Sequence, residues 1–248
     1  MATKISNEAQ LKYYKKKRNK FLFFIILPFF ITLTSYLLNR IFQVISYTIM
    51  DSIIFVVILI LLFYVSFMKS KISLASMYYE YFRMLSNEVG IQDLPNIDFA
   101  KKLEKKGYQL KQSEPTFSIY HLVNIDPKSY YNKKGTVVIV VLINSIDSDF
   151  YDSHIHDAIE SVYEALEKNN HPVVHQVTIM IKDFTVLNES ALDELRKIVN
   201  VQQGLRSLIQ LNIGLDAKRK KFYYLAPKQR YPNRMYFEAV SEIQRLGL

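Results

Sequence analysis

The chain has 248 residues and no cysteine. That excludes disulfides, thiolate metal sites and a cysteine nucleophile, and it fits a reducing compartment for the main domain. Glycine is scarce, with six in all: Gly90, Gly107, Gly135, Gly204, Gly214 and Gly247. None sits in a strand-to-helix loop that could cradle phosphates, which argues against a P-loop or dinucleotide enzyme. No HExxH spacing and no nucleophile elbow occurs. There is no internal repeat and no low-complexity tract. Charge is also missing, and informatively so, from two stretches near the N-terminus. These are FLFFIILPFFITLTSYLL, residues 21–38, and SIIFVVILILLFYVSFM, residues 52–68.

Each run is long enough to cross a hydrocarbon core, which takes about 17–25 helical residues. The second holds thirteen Ile, Leu, Val and Phe residues. At about −0.4 kcal/mol each, its insertion gains on the order of −5 kcal/mol before polar corrections. The first carries Pro28, Thr32, Thr34 and Ser35 and is weaker; Pro28 removes one helical hydrogen bond and bends the helix. The pair reads as a transmembrane hairpin in which each helix shelters the other's polar groups. A buried hairpin of a soluble protein is the bland alternative, but soluble core helices rarely run so long without a polar face. A cleaved signal peptide fits poorly, because no small-x-small site follows Leu38 and a second apolar run comes soon after.

Lysine and arginine set the orientation. Seven precede Phe21: Lys4, Lys12, Lys15, Lys16, Lys17, Arg18 and Lys20. Arg40 is alone between the runs, while Lys69 and Lys71 follow the second. Basic residues stay inside. The expectation is a plasma-membrane protein with two spans and both termini cytoplasmic. Residues 40–51 then make a short outer connection, mostly apolar, that either lengthens the helices or lies in the interface. The net charge of +9 is concentrated in the first twenty residues, where seven positive and one negative charge give +6. The basic segment 1–20, with Lys15, Lys16, Lys17 and Arg18 at its centre, is expected to contact anionic lipid headgroups.

Residues 69–90 continue the second helix without a breaker and carry an aromatic stripe, including Tyr79 and Phe82. The stripe suits packing on the domain that follows or, alternatively, a seam for self-association. Residues 91–248 read as a cytoplasmic α/β domain with a mixed sheet. A short helix (FAKKLEKK, closed by Gly107) opens it. The order is then β-β-α-β-α-β-β-α: strands at 117–124 and 136–143, a helix capped by Asp152 or Ser153, a strand at 173–181, a helix from Ser190 closed by Gly204, strands at 208–215 and 221–225, and a last helix from Pro232 and Asn233. TVVIVVLI, 136–143, is apolar on both faces and reads as a central strand.

The richest polar cluster is NSIDSDFYDSHIHD, 144–157, which follows the best strand, where α/β sheets often bind ligands. Asp147, Asp149, His154 and His156, with Lys182 and Asp183 after the next strand, could form a metal site or an acid–base pair. The same residues serve as a loop and helix cap, and the structural reading is favoured. His171 and His175 are weak as a zinc pair, and His121 reads as an ordinary strand residue. No metal and no cofactor is expected. A second basic cluster, Lys218, Arg219, Lys220 and Lys221 with Tyr223 and Tyr224, could bind nucleic acid, but a tethered domain favours anionic headgroups or solvent. Three functions remain: a membrane-anchored interaction or regulatory module with a protein partner or self-association, a membrane-tethered metal-dependent hydrolase or nuclease, and an oligomeric transporter or channel subunit. The first leads because catalytic motifs are missing. The third is weakened because neither run carries an ionisable residue that would mark a pathway.

Overall fold

The computed structural model describes residues 7–124, 135–146, 148–169, 173–203 and 206–248. The chain divides into two compact units, Met1–Ser86 and Asn87–Leu248.

The first unit is a hairpin of two long helices, α1 (Asn7–Phe42) and α2 (Tyr47–Ser86). At 1.5 Å per residue they are about 54 and 60 Å long. Both contain a window long and apolar enough to cross a membrane. The basic N-terminal segment from Asn7 onward forms the first turns of α1, and the connection between the apolar runs lengthens the helices until only residues 43–46 join them. Asn39 closes that turn. Its Nδ2 donates to the Ile45 carbonyl at 3.0 Å and its Oδ1 accepts from the Ile45 amide at 2.8 Å. α1 runs unbroken through Pro28, and Thr32 Oγ1 donates to the Pro28 carbonyl at 2.8 Å.

The helices meet along a seam with steps of three and four residues. In α1 the screened positions include Tyr14, Arg18, Phe21, Ile25, Pro28 and Thr32; in α2 they include Met50, Ile54, Val57, Leu61, Tyr64 and Met68. This is the spacing of paired helices packing knobs into holes. Away from the seam the surface of residues 21–38 and 52–68 is mostly apolar. Phe30, Phe55, Phe63 and Phe67 are all exposed, Phe63 by 78%. None of the apolar window of α1 is buried and only 11% of that of α2. A core helix of a soluble protein would show the reverse.

Rings and cations bracket the apolar windows. At the hairpin tip the Arg40 guanidinium lies over Tyr36 and Tyr47, 5.1 and 4.6 Å from the ring centroids. At the other end Tyr14 stacks on Tyr78 and Phe82 at 4.9 and 5.6 Å. Arg18 sits 4.1 Å from the Tyr79 ring and 3.9 Å from Glu80. Part of the aromatic stripe of α2 is thus met by the basic segment of α1.

The second unit is a mixed α/β domain. Its elements are β1 (Gln92–Asp93), α3 (Phe99–Lys105), β2 (Gln109–Ser113), β3 (Phe117–Asn124), β4 (Thr136–Ile143), α4 (Ser153–Lys168), β5 (His175–Asp183), α5 (Glu189–Leu195), β6 (Val199–Gln203), β7 (Arg206–Asp216), β8 (Lys221–Tyr224) and α6 (Arg234–Arg245). The eight strands form one sheet in the order β1-β8-β7-β5-β4-β3-β2, with β6 on the first half of β7. β4, β5 and β7 are parallel and the flanking pairs antiparallel.

Alternation sorts the residues onto two faces. One face presents Val137, Ile139 and Val141 of β4 to Ile155, Ile159, Val162 and Leu166 of α4. The other presents Val140, Ile179 and Leu211, and α3 and α6 contribute Leu103, Tyr236, Val240 and Ile243 to the core. Burying each Val, Leu or Ile contributes about 1.5–3 kcal/mol, so α4 and α6 hold because their apolar stripes are covered.

Three differences from the sequence reading are instructive. The helix expected to run from Ser190 to Gly204 is capped instead by Asn188, whose Oδ1 accepts from the Ala191 amide at 2.9 Å. It ends at Leu195, and residues 199–203 form β6. Val199 and Val201, two apart, put both β-branched side chains on one face of a strand, where they fit better than in a helix. β1 and β2 are further strands, short and polar because they lie at the sheet edges. Gly204 and most of the 126–135 loop lie outside the described residues.

Candidate functional site

At the carboxyl ends of β4 and β5, two of the carboxylates are engaged by the loop backbone. Asp149 Oδ1 accepts from the Tyr151 amide at 3.3 Å and Asp152 Oδ1 from the His154 amide at 2.9 Å, the latter capping α4. His154 and His156 are both exposed, two residues apart on α4, and so diverge. Lys182 is buried, donates to the Ser148 carbonyl at 2.7 Å, and lies 5.8 and 5.1 Å from the Phe150 and Phe184 ring centroids. Asp183 follows it on the strand and so points to the opposite face. Partial burial raises its carboxyl above the ordinary value. Asp147 and His171 lie outside the described residues. Among the described residues no three His, Cys, Asp or Glu side chains come together as a metal site.

A second feature was not singled out from the sequence. Between α4 and the β5–β7–β6 face lies a groove of about 560 Å³. Its floor is polar where a covered parallel strand ordinarily carries Val or Ile: Gln176 and Thr178 on β5, Gln210 on β7. Gln176 is 6% exposed and Thr178 2%. One wall is the polar side of α4, with Tyr151 just before it; the other includes Val199 and Val201 of β6. Burial raises the Tyr151 phenol above its ordinary value. The signal was legible: HQVTIMI and IQLNIGL each place a polar residue at every second position at one end of an apolar strand.

The basic cluster 218–221 forms the tip of the β7–β8 hairpin. Asp216, 1% exposed, organises it by accepting from the Arg219 amide at 2.9 Å, and Lys220 takes a positive φ of 53°. Lys218, Arg219 and Lys220 are exposed, while Lys221 pairs with Asp93 at 2.5 Å. Behind the tip, residues 87–94 are fastened along β8. The Val89 amide donates to the Ala226 carbonyl at 2.7 Å and the Leu94 amide to the Lys220 carbonyl at 2.8 Å. Glu88 anchors this strap, accepting from Arg196 Nη2 and from the Tyr223 hydroxyl, each at 2.6 Å. Compared with family models, curated proteins and solved structures, the chain matches none of them.

Proposed function

We propose that this chain is an integral membrane protein whose hairpin anchors the α/β domain at the cytoplasmic face of the plasma membrane, where the domain acts as an interaction or regulatory module for a protein partner. One observation carries the anchoring: apolar windows exposed on every side away from their mutual seam, bracketed by tyrosine and cation clusters. Arg18 and Tyr36 are separated by about 27 Å along α1, and Tyr47 and Lys69 by about 33 Å along α2. Both spacings suit a hydrocarbon core of about 30 Å. Seven basic residues before Phe21, against Arg40 alone at the tip, favour cytoplasmic termini. In this frame Lys15, Lys16, Lys17 and Arg18, and the exposed hairpin tip at Lys218, Arg219 and Lys220, contact anionic headgroups.

The module reading rests on the domain. Among the described carboxylates at the strand ends Asp149 and Asp152 turn the chain and cap α4, Lys182 is engaged by a carbonyl, and Asp183 faces away from it. The absence of native cysteine makes the topology test clean. Single cysteines are introduced as Ser46→Cys at the tip and Glu167→Cys on α4. A membrane-impermeant maleimide should label the first in intact cells and the second only after lysis. Labelling of Glu167→Cys from outside would reverse the orientation, and recovery of the full chain in buffer after alkaline extraction would remove the anchor.

A further inference from the structure

The groove beside α4 combines three properties that recognise one chemical class. Its floor has unused hydrogen-bonding capacity. Thr178 Oγ1 holds the Gln176 amide by accepting from its Nε2 at 2.9 Å, and among the described residues the Gln176 side-chain carbonyl accepts no hydrogen bond. Both side chains are more than nine-tenths buried and line the groove. Its rim is acidic. Glu160, Glu164 and Glu167 stand one turn apart along α4, about 6 and 4.5 Å apart in axial rise. Glu160 has no ion-pair partner among the described residues, and Glu164 meets Lys168 only at 4.0 Å. No lysine or arginine is among the described residues that line it. Between rim and floor lie apolar stretches, Ile159, Val199, Val201 and Leu208, and the rings of Tyr151 and Tyr163.

We propose that this groove binds a linear aliphatic polyamine: a flexible chain of protonated amines separated by three or four methylenes. Successive ammonium groups of such a chain lie roughly one helical turn apart, matching the carboxylate ladder of α4. The methylenes between them rest on the valine and leucine side chains. An ammonium reaching the floor donates to the Gln176 carbonyl, and the tyrosine faces add cation–π attraction. The carboxylates form a line along the helix rather than a cluster, which suits a string of charges and disfavours a single divalent ion. Glu160 and the Gln176 carbonyl are the residues on which affinity depends most.

The test is isothermal titration of the full chain, in nanodiscs of zwitterionic lipid at physiological salt, with a linear triamine. One saturable site per chain is expected, with no heat from a neutral diol of matched length. Glu160→Gln, an exposed change that leaves the melting temperature in place, should weaken binding by roughly fivefold, the scale of one surface ion pair. Glu160→Gln with Glu164→Gln should weaken it by more than tenfold. Thr178→Val, which removes the acceptor that holds the Gln176 amide, should weaken it while leaving the salt dependence unchanged. The proposal is overturned by any of three results: no saturable binding at millimolar triamine, equal affinity in the Glu160→Gln variant, or displacement by magnesium at equimolar concentration. Displacement by a lysine-rich peptide that binds more tightly than the triamine would also overturn it, by making the groove a protein-docking site.

Discussion

Arg196 is where a single substitution should reveal how the domain holds the segment that follows α2. Its guanidinium grips Glu88 through Nη2 at 2.6 Å and Nε at 3.2 Å, and Nη1 reaches Glu189 at 3.2 Å and Asp193 at 3.3 Å. The hydrogen bond to Glu88 raises the Arg196 pKa further, and burial followed by Glu88 raises that of Tyr223. Arg196→Met keeps the stem and removes the charge. Among the described residues the Glu88 carboxylate then keeps only the Tyr223 hydroxyl, and three carboxylates lose their shared cation. The Arg196 and Glu88 side chains are 24% and 19% exposed. The cost therefore falls between an exposed pair, at most about 1 kcal/mol, and a broken buried one, about 3–5 kcal/mol. We take about 2–3 kcal/mol. Hydrogen exchange of the full chain in detergent reads this directly at the Val89 and Leu94 amides. Because 1.36 kcal/mol is tenfold, their protection should fall by about 30- to 150-fold while the β4 and β5 amides change little. Glu88→Gln should do less, since the amide still accepts from Arg196. Adding it to Arg196→Met should cost less than the two separately. Protection at Val89 that stays within about threefold of the wild type would refute the reasoning, because the strap would then be held by its backbone bonds alone.

Gly214 on β7 lies under α5, and a Cβ there would stand 2.4 Å from Leu195 Cδ1 and 3.0 Å from Leu187 Cδ2. Gly214→Ala should cost about 1–3 kcal/mol of overpacking, read as a lower denaturant midpoint for the domain's unfolding transition. His121 and His175 both titrate below the ordinary value of 6.5 because burial opposes their charged forms. The unfolded chain therefore binds more protons than the folded one once pH drops below about 6.5. Stability should be full above that pH and decline toward the folded-state values, with His121→Gln flattening part of the decline in a melting series. At the hairpin tip, an environment-sensitive dye on Ala217→Cys should respond when zwitterionic nanodiscs are exchanged for anionic ones. The response should vanish with Lys218→Glu and Lys220→Glu; each basic residue near such a surface contributes about 1 kcal/mol. An unchanged spectrum would remove the tip from the lipid-contact surface.

The elements that were readable in advance are those whose pattern is dictated by burial on one or both sides. β4 carries Val or Ile at nearly every position because helices cover both its faces, so TVVIVVLI marks its own ends. α4 and α6 carry their apolar residues on a single stripe, and their caps Asp152 and Asn233 stand where a short polar side chain can take up a free amide. What escaped notice lacks a self-contained pattern. β2 is an edge strand with Gln109, Lys111 and Ser113 in it, and only its pairing with β3 makes it a strand. β6 was read as the end of a helix because Ile198 and Val199 continue the spacing of Leu192 and Leu195, and local spacing cannot register that β7 offers a pairing edge. In the hairpin the three-and-four-residue seam is invisible in sequence, because the residues on both sides of it are equally apolar; only the polar seam members, such as Thr32 and Asn39, break the uniformity.

The groove was missed for the opposite reason. Polar residues inside strands are easily passed over as tolerated exceptions, whereas Gln176, Thr178, Gln210 and Asn212 fall on one face of two adjacent parallel strands. A single buried amide in a sheet is an accident of packing. Three amides and a hydroxyl on one face of neighbouring strands form a polar surface, and Gln176, Thr178 and Gln210 of it line the groove beside the acidic side of α4. The loop that looked chemical, 144–157, follows the contrary logic. Of its carboxylates, Asp149 and Asp152 accept backbone amides where the chain turns into α4, the work of a helix start. Side chains that satisfy the backbone are spent on the fold; side chains that are buried with bonding capacity left over are the ones available to a ligand.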